Sequence, residues 1–442
     1  MSSVMRTRGL FMSWRQLRLI VFMIIGLGSS AHKVSDENPI IMWWDSMGNI
    51  DRLTSCGKYT CQITVNRARM TEQSHMAYIF DGTSFGETGF PFPRQRGDIW
   101  GLFMNESPKN NEWLISQDEV IYLFNYTSTF RRESHCPFPT QWLSDINSLT
   151  DVTYLVRTSE KTRLRKEEGL APIIYVHSDC VTPSDRRAYL QMLQKYVQVD
   201  SYGPCDHNKD FPNSTNFGTM AGMLSPEFHR FVAQYKFAFA FENAVCPDYI
   251  TEKLWRPLVA GTVPIVFGSP TVKDFLPAEK SAIVITDFDN IEDVARHINY
   301  LDQHDDEYEK YLQYKKTGIQ NEYLIEVERK KALSDGIDIF RKFECFLCRK
   351  LHDAIRNHNA DEDATVSQGE RTHYGCPTPL MFNADGQYVV PRNSRDNVYK
   401  KARHRSKAIK HFHDRNINAT FDDIENYAKM LPRTCHHVHD EL

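Results

Sequence analysis

The chain has 442 residues, enough for two or three domains that each bury a core of their own. Charged residues make up 25%, the formal net charge is -4 and aromatic residues make up 12%. This is an ordinary globular composition without the basic excess of a nucleic-acid binder, so no nucleic-acid partner is expected.

The chain opens with Arg6, Arg8, Arg15 and Arg18, then the apolar run LIVFMIIGLG and the small residues Ser29 to Ala31. This is the layout of a secretory signal peptide over residues 1–31. The apolar run falls well short of the roughly 20 residues a spanning helix needs; left uncleaved, it would make the chain a single-pass type II membrane protein. Beyond it, PIIMWWD (39–45), AYIFDG (77–82) and EVIYLFNYT (119–127) read as short apolar strands, which predicts a first α/β domain over 38–160. The polar run RTSEKTRLRKEEG (157–169) reads as the connection to a second domain.

From 170 to 330 the alternation is more regular. PIIYVHS predicts a strand, SDRRAYLQMLQKYV a helix capped by Ser184, and VDSYG the end of the next strand. YKFAFAFEN, TVPIVFG and SAIVITDF continue the series, with helices at Thr251 to Ala260 and Asn290 to Leu301 as parallel-sheet crossovers. Two doubly wound domains in tandem leave a cleft between strand ends, where open α/β sheets bind ligands. Residues 331–442 read as a helical extension that turns polar. In it, DEDATVSQGE (361–370) reads as a surface loop and YKKARHRSKAIKHFHDR (399–415) as a basic amphipathic helix with a solvated face.

The last four residues, His439 to Leu442, spell HDEL, a retrieval address for the lumen of the endoplasmic reticulum. They predict an HDEL-retrieval receptor as a partner and residence in that lumen, with cycling through the early Golgi. Ten cysteines in such an oxidising compartment should be mostly disulfides. Cys56, Cys61, Cys345 and Cys348 are the candidates, either as bridges from the first domain to the end of the second or as local Cys56 to Cys61 and Cys345 to Cys348 pairs. Zinc would be the reading in the cytosol. Asn125, Asn213 and Asn418 head N-glycosylation sequons, whereas the sequon at Asn105 is followed by Pro108 and is a poor acceptor.

The stretch FENAVCPDYITEKLWRPLVAGTVPIVFGSP (241–270) concentrates polar groups between two apolar runs. The first run delivers Glu242 and Asn243 to the carboxyl end of a strand, and Thr251 is the natural N-cap of the helix that follows. The free N–H groups and positive dipole end of that helix suit an anion such as a diphosphate. Lys253 adds a full charge, Glu252 can accept hydrogen bonds from sugar hydroxyls, and Tyr249 can stack or hydrogen-bond. Capping alone would also account for several of these residues. The whole pattern, however, resembles the signature of the GDP-fucose-dependent α1,3-fucosyltransferases, glycosyltransferase family 10. The resemblance extends to NESP (105–108), YTSTFRRESH (126–135), SDRRAYLQML (184–193) and VDSYGPC (199–205), and so covers most of residues 40–350.

That resemblance implies a GT-B fold, two Rossmann-like α/β domains facing a cleft, with the acceptor domain first and the nucleotide-sugar domain second. Residue by residue, Glu106 matches the family's general base and Arg186 the arginine facing the pyrophosphate. Asn243, Tyr249, Glu252 and Lys253 match the donor-binding set. GDP-fucose is then the donor substrate, a secreted glycoprotein the acceptor, and transfer inverts the anomeric carbon. A finer resemblance, through the SDC and PSDR groups and DYITEK, is to the fucosyltransferase 10 and 11 branch. It is similar to enzymes described as protein O-fucosyltransferases acting on folded EMI-type domains in the endoplasmic reticulum.

The HDEL tail favours a Ser or Thr hydroxyl of a folded domain as acceptor; α1,3-fucosylation of GlcNAc on N-glycans is the alternative. A non-catalytic lumenal lectin or chaperone is the reading from another class, and the joint presence of Glu106, Arg186 and Lys253 speaks against it. A glycoside hydrolase would need a second placed carboxylate. Asp287-Phe-Asp289 has the D-x-D form of metal-dependent transferases, but it follows SAIVIT and reads as a strand-ending turn. No metal or other cofactor is expected.

Overall fold

The structure is a computed structural model that describes residues 38–44, 48–71, 75–84, 89–107, 114–212, 216–332, 338–359, 367–391 and 396–431. The leader at 1–31, the sequon at Asn213 and the HDEL tail lie outside the described residues. Among the described residues no helix is long and apolar enough to cross a membrane.

The first domain is a six-stranded sheet in the order β2-β3-β1-β4-β5-β6. Its strands are β1 (Ile40–Trp43), β2 (Asp51–Cys56), β3 (Tyr59–Thr64), β4 (Ala77–Asp81), β5 (Ile99–Met104) and β6 (Tyr126–Thr129). Only the β2–β3 hairpin is antiparallel; the remaining pairs run parallel. Strands β1, β4 and β5 are buried along their whole length, as central parallel strands covered on both faces must be.

EVIYLFNYT does not form one strand. Asp118–Ile121 is a short helix, α1, with Asp118 and Glu119 in its first turn, where carboxylates meet the positive dipole end. Val120, Ile121, Leu123 and Phe124 turn one apolar face to the first core, and the strand begins only at Tyr126.

The second domain is a five-stranded parallel sheet in the order β11-β10-β9-β7-β8. It comprises β7 (Ile173–Tyr175), β8 (Val199–Ser201), β9 (Phe237–Phe241), β10 (Val263–Phe267) and β11 (Ile283–Val284). Strand β9 shows how the sequence sorts its two faces. Phe237, Phe239 and Phe241 enter one core, while Ala240 faces the other beside Leu254, Trp255 and Leu258. Period-two alternation of large and small residues thus leaves room for a helix on the alanine face.

Two further expectations change. RTSEKTRLRKEEG is not a loose connection but helix α2 (Thr158–Glu167). Buried Lys161 donates to the carbonyls of Tyr235 and Gly261, which fastens the helix to the second domain, so that domain begins before residue 170. Helix α3 (Arg186–Leu193) is not capped by Ser184. Its N-cap is Asp185, with φ 54° and no side-chain cap bond, and the Ser184 hydroxyl donates to the Glu242 carbonyl at 2.6 Å. The helices Pro226–Val232 (α4), Glu252–Ala260 (α5) and Ile291–Gln303 (α6) complete the crossovers. Thr251 and Asn290 cap α5 and α6 with their side chains.

After the second domain the chain returns to the first. Helix α7 (Ile339–Asn359) carries Cys345 and Cys348, which bond to Cys56 and Cys61 on the β2–β3 hairpin. These are the long-range bridges, not the local pairs, and they tie the helix after the second domain to the first. A segment at 367–391 then runs past both domains and ends in the hairpin β12 (Leu380–Phe382) and β13 (Tyr388–Pro391). The basic segment at 399–415 belongs to α8 (Asp396–Asp414), followed by α9 (Phe421–Met430). It is not merely a solvated face: Ala408 and Ile409 join the first core, as do Ile424 and Ala428 of α9, while Lys401, Arg403, Lys407 and Lys410 stay exposed.

Candidate active site

The carboxyl ends of β5 and β9 meet. Glu106, just past β5, is buried, and its Oε1 accepts from the Tyr249 hydroxyl, from Asn243 Nδ2 at 3.3 Å and from the Ser107 amide at 2.8 Å. Ser107 Oγ in turn donates to Asn243 Oδ1 at 2.8 Å. One carboxylate oxygen is therefore held by donors from both domains, and Oε2 has no hydrogen bond among the described residues. The fully buried Tyr249 hydroxyl is held well above its ordinary pKa by burial and by the Glu106 carboxylate. It stays a neutral donor.

The signature helix is anchored by a residue the sequence reading left outside the site. Glu242, the first residue past β9, accepts from the Thr251 amide at 2.8 Å and from the Thr251 hydroxyl. Gly268 makes room for it: a Cβ there would lie 2.7 Å from Glu242 Cβ, at a φ of +146°. Lys253 Nζ sits 3.2 Å from Glu252 and 3.5 Å from Glu242. Burial pushes the ammonium down, but these two carboxylates outweigh it and hold the pKa above its ordinary value. Burial likewise would raise Glu252, yet Lys253 and Arg256 keep it below the usual carboxylate value. Both residues are charged.

Arg186 opens α3 and is almost fully buried. It donates to the carbonyls of Phe241 at 3.3 Å and Asp179 at 3.0 Å, and its Nε has no partner among the described residues. The structure thus gathers Glu106, Asn243 and Tyr249 into one hydrogen-bonded group. Arg186, Glu252 and Lys253 form a charged group beside it, coupled electrostatically. Asn243 and Tyr249, expected as donor ligands, both hydrogen-bond Glu106.

Sequence reasoning missed Ser107, Glu242 and the segment after 367. Tyr374 of that segment donates to the Glu106 carbonyl at 3.4 Å, and Cys376 is bonded to Cys246 inside the signature. The only signal was the unassigned cysteines. Cys180 and Cys205 form the remaining bridge, and Cys136 is free and buried among the described residues.

The other expected sites separate. Asp287 pairs with Lys273 at 2.7 Å on the surface and joins none of these groups. In the folded chain the Asn125 Oδ1 accepts from the Trp100 amide at 2.8 Å and from Arg94, and the sequon's Thr127 is buried. Asn418 is exposed just before α9. Among the described residues, the grouping with metal-ligand spacing is Cys61, Cys348 and His352, and its two sulfurs are spent in a disulfide. A cavity of about 640 Å³ beside β11, lined by Lys273, Asp287 and His297 among others, shares no residue with the site.

Two largely parallel sheets whose carboxyl edges converge on one carboxylate and one cationic helix start form the two-domain α/β arrangement expected of a GT-B fold. Residues 35–141 match the family model "Fucosyltransferase, N-terminal" and residues 165–365 match "Glycosyltransferase family 10 (fucosyltransferase) C-term". Similar curated proteins are GDP-fucose protein O-fucosyltransferase 3 of Xenopus tropicalis, 39% identical over 88% of this chain and 84% of that one, and of Homo sapiens, 40% identical over 87% and 81%. The crystal structure of α1,3-fucosyltransferase with GDP-fucose superposes with a TM-score of 0.43 at 15% identity, over 77% of this chain and 96% of that chain, too distant to carry detail across. The chain belongs to glycosyltransferase family 10, the fucosyltransferases.

Proposed function

We propose that this enzyme transfers L-fucose from GDP-β-L-fucose, with inversion, to a Ser or Thr hydroxyl of a folded, disulfide-containing secreted domain, and that it needs no divalent metal. The observation that carries this is Glu106, whose Oε1 is fixed by three donors while Oε2 is left to take a proton. As the acceptor oxygen bonds to the anomeric carbon, its proton passes to Glu106 and GDP departs from the opposite face. A positioned general base contributes about 10²–10⁴-fold to such a step. Lys253, Arg186 and the amino end of α5 neutralise the charge growing on the diphosphate, which is the work a metal does in other transferases.

Transfer to protein rather than to glycan is supported by relatives whose name states that activity, at 39–42% identity over most of their length. Four disulfides support a reaction in an oxidising secretory compartment. Retention in the endoplasmic reticulum through an HDEL receptor belongs to the same reading. Incubation of the purified protein with labelled GDP-fucose and folded secreted domains, with and without a chelator, tests it. Label should enter protein at equal rates in both; dependence on added metal would remove the metal-free part.

A further inference from the structure

Strands β7 and β9 are neighbours in the second sheet although β8 lies between them in the chain. The chain therefore leaves this point in opposite directions, and a crevice opens at the two carboxyl ends. Glu242 and Asn243 stand past β9 on one side of it. His177 stands two residues past β7 on the other.

Among the described residues, His177, 6% exposed, has at its ring nitrogens no partner beyond a weak backbone contact with Phe241, and Arg186, 3% exposed, leaves Nε unused beside it. Buried polar groups normally find partners, so two under-used groups at one crevice point to a missing ligand. The backbone that carries the imidazole, and the ring itself, are held in place. Gly203 approaches so closely that a Cβ there would lie 2.2 Å from the His177 carbonyl oxygen. The Cys180–Cys205 bridge ties the two loops together, and the ring lies against Tyr175 with centroids 4.5 Å apart.

The charged neighbours of the ring are Arg186, Lys253 and Arg256. Burial first, and then these cations, keep it neutral, with the Phe241 backbone pulling weakly the other way. A neutral imidazole offers one N–H, and a donor ringed by cations is matched by an anion. We propose that His177 is a further donor-binding residue, giving a ring N–H to the diphosphate of the nucleotide sugar alongside Arg186 Nε. This rests on the donor assignment made above.

The test is calorimetric titration of the full chain with GDP and with guanosine. His177→Phe keeps a flat ring and removes the donor, so it should weaken GDP about tenfold or more, the loss expected for a hydrogen bond to a charged group. Guanosine affinity should not change. The unliganded thermal midpoint should hold or rise, because poorly partnered nitrogens have been removed. His177→Gln, which retains N–H donors, should recover part of the loss. Should the Phe variant not fold, His177→Met reads the same quantity.

A donor-free variant that binds GDP like wild type overturns the inference, as does one that loses GDP and guanosine alike. Wild-type protein that binds no GDP would overturn the donor assignment itself, and this inference with it.

Discussion

At the scale of single residues, the proposed reaction turns on Glu106. Glu106→Gln keeps the size and hydrogen-bonding shape but removes the base, so transfer should fall about 10²–10⁴-fold while GDP affinity stays within a factor of two. Single-turnover transfer and calorimetry read the two separately, and near-normal turnover would displace Glu106 from this role. Lys253→Ala should instead lower both GDP affinity and the chemical step, since in the proposed reaction its charge meets phosphate in ground and transition states alike.

The two kinds of residue were not equally legible in the sequence. Thr251, Glu252 and Lys253 are local, a cap and a first turn, and the pattern places them directly. Tyr249 reads as a donor ligand, yet its hydroxyl goes to Glu106, a partner 143 residues away that no local pattern reveals. Glu242 was visible at the strand end, but its bond to Thr251 depends on the space left by Gly268 just past the next strand.

At the scale of elements, the segment 367–391 braces the cleft. Its Thr127···His373 bond at 3.0 Å, the bond from Thr129 to the His373 carbonyl and the bond from Arg131 to the Gly375 carbonyl fasten it to β6 and the residues after it. Phe382 and Tyr388 pack on Phe267 of β10. The Cys246–Cys376 bridge closes 130 residues. Cys246→Ser with Cys376→Ser should cost about 2–5 kcal/mol of stability, read as a lowered thermal midpoint; an unchanged midpoint would show that the brace is held by packing alone.

The same junction contains His135 and His373, rings 4.7 Å apart. Burial, then the proximity of His373, lowers His135 to about 4, and burial lowers His373 as well. Both pKa values are lowered on folding, so the unfolded chain binds more protons below its ordinary histidine value. Stability should therefore fall as pH drops from about 6.5 towards 4. His135→Phe should flatten that slope in thermal melts across this range; an unaltered slope would assign it to other groups. None of this brace was legible, because its residues carry no periodic pattern and every partner is distant in sequence.

At the scale of the molecule, the two sheets were legible where apolar runs are short and bounded, as at β1, β4, β7, β9 and β10. EVIYLFNYT misled because the spacing of Val120, Ile121, Leu123 and Phe124 suits a buried helix turn as well as a strand, and only the carboxylates before it distinguish the two. The joining of the domains was less legible. Arg132 reaches across to buried Asp248 at 2.6 Å and to Asp274 at 2.7 Å, and Asp248 lies directly before Tyr249. The base, its tyrosine and the interdomain ion pair form one continuous structure.

Transfer to a folded protein, as proposed, requires the acceptor to arrive as a shaped surface at a fixed carboxylate. The most direct measurement is the fate of label from GDP-fucose offered to a secreted, disulfide-containing domain in its native form and after reduction. Label is expected on the native domain alone, released by β-elimination and resistant to N-glycanase. Label released together with the glycan by N-glycanase, or equal labelling of the reduced chain, would contradict it.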